Sequence, residues 1–267
     1  MGFKCGIVGL PNVGKSTLFN ALTNSSKAQA GNFPFCTIEP NVGVVPVLDN
    51  RLDKLFEISK SKKKIYTTIT FLDIAGLVKG ASKGEGLGNK FLSHIREVDA
   101  IVHLLRCFDS DDIQNVNKDV NPIRDLDIIE TEMKLADLES IGKRIDKKNL
   151  KKITDDELNI IKTTEDYINN DKDLNDLRNL FDLDLINKSG LLSLKPKLYV
   201  CNVDEKSISS GNKYSEEVKK NKKIDNTILV SAEIENQINQ LENNDKNNFM
   251  ELMNIEKTGL NLSLIHI

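Results

Sequence analysis

Eight consecutive residues, Gly9-Leu10-Pro11-Asn12-Val13-Gly14-Lys15-Ser16, have the spacing G-x-x-x-x-G-K-S. The apolar run Cys5-Gly6-Ile7-Val8 precedes them and the helix-like Thr17-Leu18-Phe19-Asn20-Ala21-Leu22 follows, so the stretch reads as strand, loop and helix. In that setting the glycines let backbone N–H groups converge on a phosphate, and the helix N-terminus adds partial positive charge. The Lys15 ammonium then reaches the β/γ oxygens and the Ser16 hydroxyl ligates Mg²⁺. A glycine-rich turn with an incidental Lys-Ser pair is the ordinary alternative. The flanking strand and helix argue against it.

Two further groups lie where such a loop needs them. The run Ile65-Tyr66-Thr67-Thr68-Ile69-Thr70-Phe71-Leu72 ends in Asp73-Ile74-Ala75-Gly76, which is D-x-x-G at a strand end. An acid there reaches Mg²⁺ through water, and a glycine N–H meets the γ-phosphate. Further on, Lys197-Leu198-Tyr199-Val200-Cys201 ends in Asn202-Val203-Asp204-Glu205, and Thr227-Ile228-Leu229-Val230 ends in Ser231-Ala232-Glu233. GTP-binding domains read their base at the first of these ends with N-K-x-D, the Asp carboxylate accepting from two guanine N–H donors. Here valine replaces the lysine and Glu205, one methylene longer, replaces the acid, so the paired geometry with guanine is lost. A small loop shift that lets Asp204 or Glu205 still read guanine keeps GTP as the alternative nucleotide. Leu77 stands where related switch GTPases carry a water-orienting Gln. It has neither donor nor acceptor, which argues for slow hydrolysis. Asn12 reads as a loop brace, with a K⁺ near the phosphates as its sharper role. His94 and His103 have no legible partner and read as packing or surface residues.

These groups need strands that end side by side. Strand-like runs lie at 3–9, 43–47, 65–72, 100–108, 197–201 and 227–230, with helical stretches at 15–24, 51–61 and from about Asn89. Strands alternating with helices, and phosphate chemistry at a strand's carboxyl end, predict an α/β fold: a P-loop NTPase with a doubly wound, mostly parallel sheet. Between two strands the pattern changes. Leu126, Ile129, Met133 and Ala136 form one helical stripe that Leu138, Ile141 and Ile145 continue. After a lysine-rich break at 147–152, Thr154 and Glu157 form a capping box that opens a second helix carrying Leu158, Ile161 and Ile168. The expected organisation is a nucleotide domain of 1–125 and 195–235, an inserted helical hairpin at 126–194 and a C-terminal segment at 236–267. The hairpin's charge means a solvated face or a docking surface for protein or RNA.

At 267 residues, 39 % hydrophobic and 29 % charged, the chain is long enough for one full core plus an appendage. A net charge of −3 carries no overall basic footprint, so contact with nucleic acid or a ribosome needs a local patch, and nothing suggests sequence-specific DNA binding. The four cysteines lack C-x-x-C pairing and read as reduced thiols of a cytoplasmic protein. The three histidines do not fall at zinc-ligand spacing beside them. No apolar run approaches the ~18 residues of a membrane span, and the N-terminus enters a strand at once, so neither span nor signal peptide is expected.

The stretches 1–16, Asn32-Phe33-Pro34-Phe35-Cys36-Thr37-Ile38-Glu39-Pro40-Asn41, Asp73-Ile74-Ala75-Gly76-Leu77-Val78-Lys79-Gly80-Ala81 and the N-x-x-E at Asn202–Glu205 resemble the YchF, or Obg-like ATPase, family of P-loop NTPases. The resemblance implies a nucleotide domain interrupted by a coiled-coil hairpin, preference for ATP over GTP, slow ATP hydrolysis and association with ribosomes. By motif match it implies that Asn12, Val13, Gly14, Lys15, Ser16 and Thr17 hold the phosphates and that Ser16 and Thr37 ligate Mg²⁺. Lys15, Asp73 and Gly76 would act at the γ-phosphate, and Phe35, Asn202, Val203, Glu205, Ser231 and Ala232 would line the rest of the nucleotide. Two departures stand out. The family's C-terminal β-grasp (TGS) module is not found after Gly259-Leu260-Asn261, and the closing residues read as a truncated frame, which bears on ribosome binding. Asn115 stands in the loop where some relatives carry a His proposed to assist hydrolysis, and asparagine is no general base.

Overall fold

The chain wraps a six-stranded sheet in the order β2-β3-β1-β4-β5-β6, formed by Phe3–Val8 (β1), Val42–Pro46 (β2), Thr68–Asp73 (β3), Ala100–Cys107 (β4), Lys197–Val203 (β5) and Thr227–Val230 (β6). The structure is a computed structural model and describes residues 2–29, 41–47, 49–74, 87–110, 119–146, 153–221, 227–241 and 243–252. Every neighbouring pair is parallel except β2–β3, which is antiparallel. Pro46 has no N–H to give, and it sits on β2 at the edge of the sheet, where none is needed. β4 is buried along its whole length, as expected of a central parallel strand that is mostly apolar, and its two polar residues, His103 and Arg106, are buried with it.

Helices cover both faces. Lys15–Gln29 (α1) packs on the sheet beside Ala232–Gln240 (α9), while Pro122–Ile145 (α4) and Lys213–Lys220 (α8) cover the other side. Asn50–Ser59 (α2) links β2 to β3, and Leu87–Arg96 (α3) leads to β4. β3 begins at Thr68, three residues later than the alternation of 65–72 predicts. Lys64 Nζ donates to Asp53 of α2 at 2.7 Å and the Tyr66 hydroxyl donates to the same carboxylate, so this stretch is tied to the helix before it pairs in the sheet.

α4 serves two cores. Asn121 caps it by accepting from the Arg124 N–H at 2.9 Å, and Pro122 opens its first turn. Leu126 packs with Leu105 and Cys107, and Ile129, Met133 and Ala136 belong to the large cluster under the sheet. Ile141 joins a separate cluster with Ile160 and Ile161 of Asp155–Asn169 (α5), whose Thr154–Glu157 capping box forms as its sequence predicts. Two short helices that the sequence reading did not expect complete that cluster: Leu177–Leu180 (α6) and Leu183–Ser189 (α7), which contribute Leu177 and Ile186. The segment between β4 and β5 therefore holds a small helical layer on α4. Asp137, fully buried, locks it to the approach to β5. Its carboxylate accepts from the Leu192 and Ser193 N–H groups, both at 2.8 Å, and from Ser193 Oγ at 2.6 Å. Asn243–Leu252 (α10) closes the described chain.

Candidate functional site

The loop between β1 and α1 lies at the carboxyl ends of the parallel strands, beside the point where the chain runs to one side for β2 and β3 and to the other for β4, β5 and β6. A doubly wound sheet binds its ligands there. Gly14 has φ +91°, and a Cβ on it would lie 2.3 Å from Asn202 Nδ2, so only glycine fits. Asn12 also takes a left-handed φ of 65°, which asparagine tolerates better than other side chains. Helix α1 begins directly at Lys15, with Leu18 N–H bonded to Gly14 O at 2.9 Å, so the loop delivers its amides to a helix N-terminus.

Lys15 pairs with Asp73 at the end of β3, their side chains 13 % and 11 % exposed, and Ser16 Oγ donates to the other Asp73 oxygen at 3.3 Å. Two adjacent residues of the loop and helix start thus meet a third, 57 and 58 positions further on, as a hydroxyl, an ammonium and a carboxylate. Hydroxyl and carboxylate oxygens are hard donors, the set that suits Mg²⁺.

Asn202, 5 % exposed on β5, joins the loop to the far side of the site. Its Nδ2 donates to Val13 O at 2.9 Å and its Oδ1 accepts from Ala232 N–H at 2.9 Å. Asn12, Gly14 and Thr17 of the loop border a cavity of about 290 Å³ with Asn202, Val203 and Glu205. Ser231 and Ala232 complete it at the start of α9, so eight of the residues chosen from sequence share one space. Val203 borders the cavity although its side chain, 2 % exposed, belongs to the cluster of Leu105, Cys107 and Tyr199. Asp204 also borders the cavity and is exposed, its carboxylate accepting from Ser207 N–H at 3.1 Å and Ser207 Oγ at 3.0 Å, and Glu205 is likewise exposed at the rim.

The sequence reading missed Phe108 and Glu233, which also line the cavity. Each lies just beyond a strand's carboxyl end, and that position was the available signal. Phe35, Thr37, Gly76, Leu77 and Asn115 lie outside the described residues.

A glycine-containing loop between β1 and α1, an Asp at the end of β3 paired with its lysine, and a cavity between that loop and the end of β5 define a P-loop nucleotide-binding domain. The family described as 50S ribosome-binding GTPase matches residues 4–134. The chain is 47 % identical over 277 residues to the ribosome-binding ATPase YchF of Pasteurella multocida and 45 % identical over 270 residues to that of Bacillus subtilis. These alignments take in 98 % and 97 % of this chain, and 74 % of each relative. A solved structure, the YchF GTPase of Schizosaccharomyces pombe, superposes with a TM-score of 0.80 at 36 % identity, over 99 % of this chain and 74 % of that one. The chain belongs to the YchF family.

Proposed function

We propose that the chain is a Mg²⁺-dependent, ATP-binding and slowly ATP-hydrolysing switch that acts in association with ribosomes in the cytoplasm. The observation that carries the reading is the meeting of Lys15, Ser16 and Asp73 at the start of α1, next to the loop whose Asn12 and Gly14 border one cavity with Asn202 and Glu205. Lys15 would neutralise β/γ oxygens, and Ser16, with Thr37, would hold Mg²⁺, which supplies charge neutralisation on the phosphates. Asp73 would reach the ion through water, and Gly76 would sense the γ-phosphate. Asn12, Val13, Gly14 and Thr17 would complete the phosphate cradle, with K⁺ beside Asn12 as a second candidate ion. Phe35, Asn202, Val203, Glu205, Ser231 and Ala232 would enclose the nucleoside, and the valine and glutamate in place of N-K-x-D favour adenine.

Electrostatic stabilisation from the loop amides and Lys15 is present in this scheme, but positioning of the attacking water is weak, because Leu77 supplies no amide where a Gln would stand and Asn115 no base where a His would. The relatives' names give the ribosome as partner, and the inserted helical layer, none of whose described residues lines the cavity, is the surface with which 1–125 and 195–235 would report their nucleotide state. Single-turnover cleavage of ATP, measured with and without ribosomes, tests the reading. Slow cleavage that ribosomes accelerate is expected; no cleavage under either condition would leave a nucleotide-loaded docking protein instead. Tighter binding of GTP than ATP would overturn the choice of base.

A further inference from the structure

We propose that Arg106 is a positioning residue for nucleobase recognition, fixing Phe108 as the aromatic wall at the base end of the cavity. The proposal rests on the reading of that cavity as the nucleotide site. Arg106 is the one charged residue in the otherwise apolar or neutral strand β4, and only 2 % of it is exposed. A guanidinium in a sheet interior is costly unless hydrogen bonds and charges compensate for its lost hydration. Here its Nε donates to the Phe108 carbonyl at 3.2 Å, and its Cζ lies 4.7 Å from the centroid of the Phe108 ring. One side chain therefore holds both the backbone and the ring of the same residue.

The placement gives this clamp a purpose. Arg106 is in register with Asn202 on β5, whose amide ties the phosphate loop to the start of α9. Phe108 leaves β4 immediately beyond that pair and borders the same cavity as Val203 and Glu205. Asp109 and Asp125 lie close enough to support the positive charge against burial. A leucine at position 106 would fill the sheet interior but would leave the ring after the strand end to choose its own rotamer. Stacking of a base on an aromatic face gains most when that face is already held, because the ordering cost has been met beforehand.

The test uses the full chain and two ligands, ATP and inorganic triphosphate, with affinities read by calorimetry. Phe108→Leu is expected to weaken ATP about tenfold. Arg106→Gln is expected to weaken ATP about five- to tenfold, and the double variant about as much as Phe108→Leu alone, since the two act as one unit. Arg106→Lys should recover part of the loss, and triphosphate affinity should stay unchanged throughout. If Phe108→Leu leaves ATP affinity unaltered, the assignment of the base end is itself wrong and the proposal falls with it. If Phe108→Leu weakens ATP but Arg106→Gln does not, or the two losses multiply, the cavity reading stands and the positioning role is overturned. Equal loss of triphosphate and ATP in both Arg106 variants would assign Arg106 to the fold, and this too overturns the proposal.

Discussion

Asn202 Nδ2 donates to the carbonyl of Val13 at 2.9 Å, across 189 residues of sequence. The same amide accepts from Ala232 N–H, so one buried side chain sets the loop between β1 and α1 and the start of α9 in fixed relation. Asn202→Ala leaves a buried carbonyl and a buried N–H unpaired. The expected cost is about 2–3 kcal/mol in urea unfolding, together with a roughly tenfold or greater loss of ATP affinity. Full ATP affinity in a destabilised variant would reduce Asn202 to a structural brace.

Lys15→Ala removes the ammonium that faces Asp73 and, in the proposed reading, the phosphates. ATP affinity should fall by about a hundredfold or more, with the fold retained. Affinity retained within about threefold, measured by calorimetry, would remove the loop from its central place.

Base choice should respond to Glu205 and not to engineering at Val203. Val203→Lys puts an ammonium into the cluster of Leu105, Cys107 and Tyr199, so a stability loss of about 3 kcal/mol or more is expected. Glu205→Asp changes an exposed rim position and should leave stability within about 0.5 kcal/mol. It should narrow the proposed preference for ATP over GTP. An unaltered affinity ratio would move base choice elsewhere in the cavity.

His103 should make stability depend on pH. Its ring is 1 % exposed, neither nitrogen has a hydrogen-bond partner among the described residues, and burial pulls its pKa from 6.5 to about 4. Glu130 raises it and Lys197 lowers it, both from the same buried group in which Glu130 accepts from Lys197 Nζ at 3.2 Å and Tyr199 Oη at 2.8 Å. The native ring stays neutral where the unfolded one takes a proton, so stability is lost as pH falls from 6.5 towards 4. The slope approaches about 1.4 kcal/mol per pH unit. Urea unfolding of His103→Leu at pH 7, 6 and 5 should give a shallower dependence; an unchanged slope would assign it to other groups.

How legible this molecule is from its sequence depends on how local the signal is. The strand, loop and helix around Gly14 and Lys15 could be placed because turn chemistry and hydrophobic period agree over a few residues. Asp73 and Asn202 followed because each sits at the end of an apolar run, and the structure brings both to the loop. Phe108 was missed because an aromatic residue after a strand has no motif of its own. The short helices α6 and α7 were missed for a related reason: Leu177 and Ile186 are too few per element to show a period, and they are recognised only by the Ile141, Ile160 and Ile161 that bury them. Asp137 illustrates the limit, since a charged residue on a charged helix gives no hint that three donors await it from residues 55 and 56 positions away.

The 24 residues of α4 make a rod about 36 Å long. Its root lies where Leu126 meets Leu105 and Cys107 near the carboxyl end of β4, and its far end carries the layer built on Ile141. A tilt of about 5° about the Asn121 cap sweeps that far end through about 3 Å. Because Ile129, Met133 and Ala136 pack in the main core and Asp137 is bonded to Leu192 and Ser193, such a tilt would carry the approach to β5 with it. Such a lever gains reach from distance alone, so in the proposed reading a surface that reported on the site would lie well away from it.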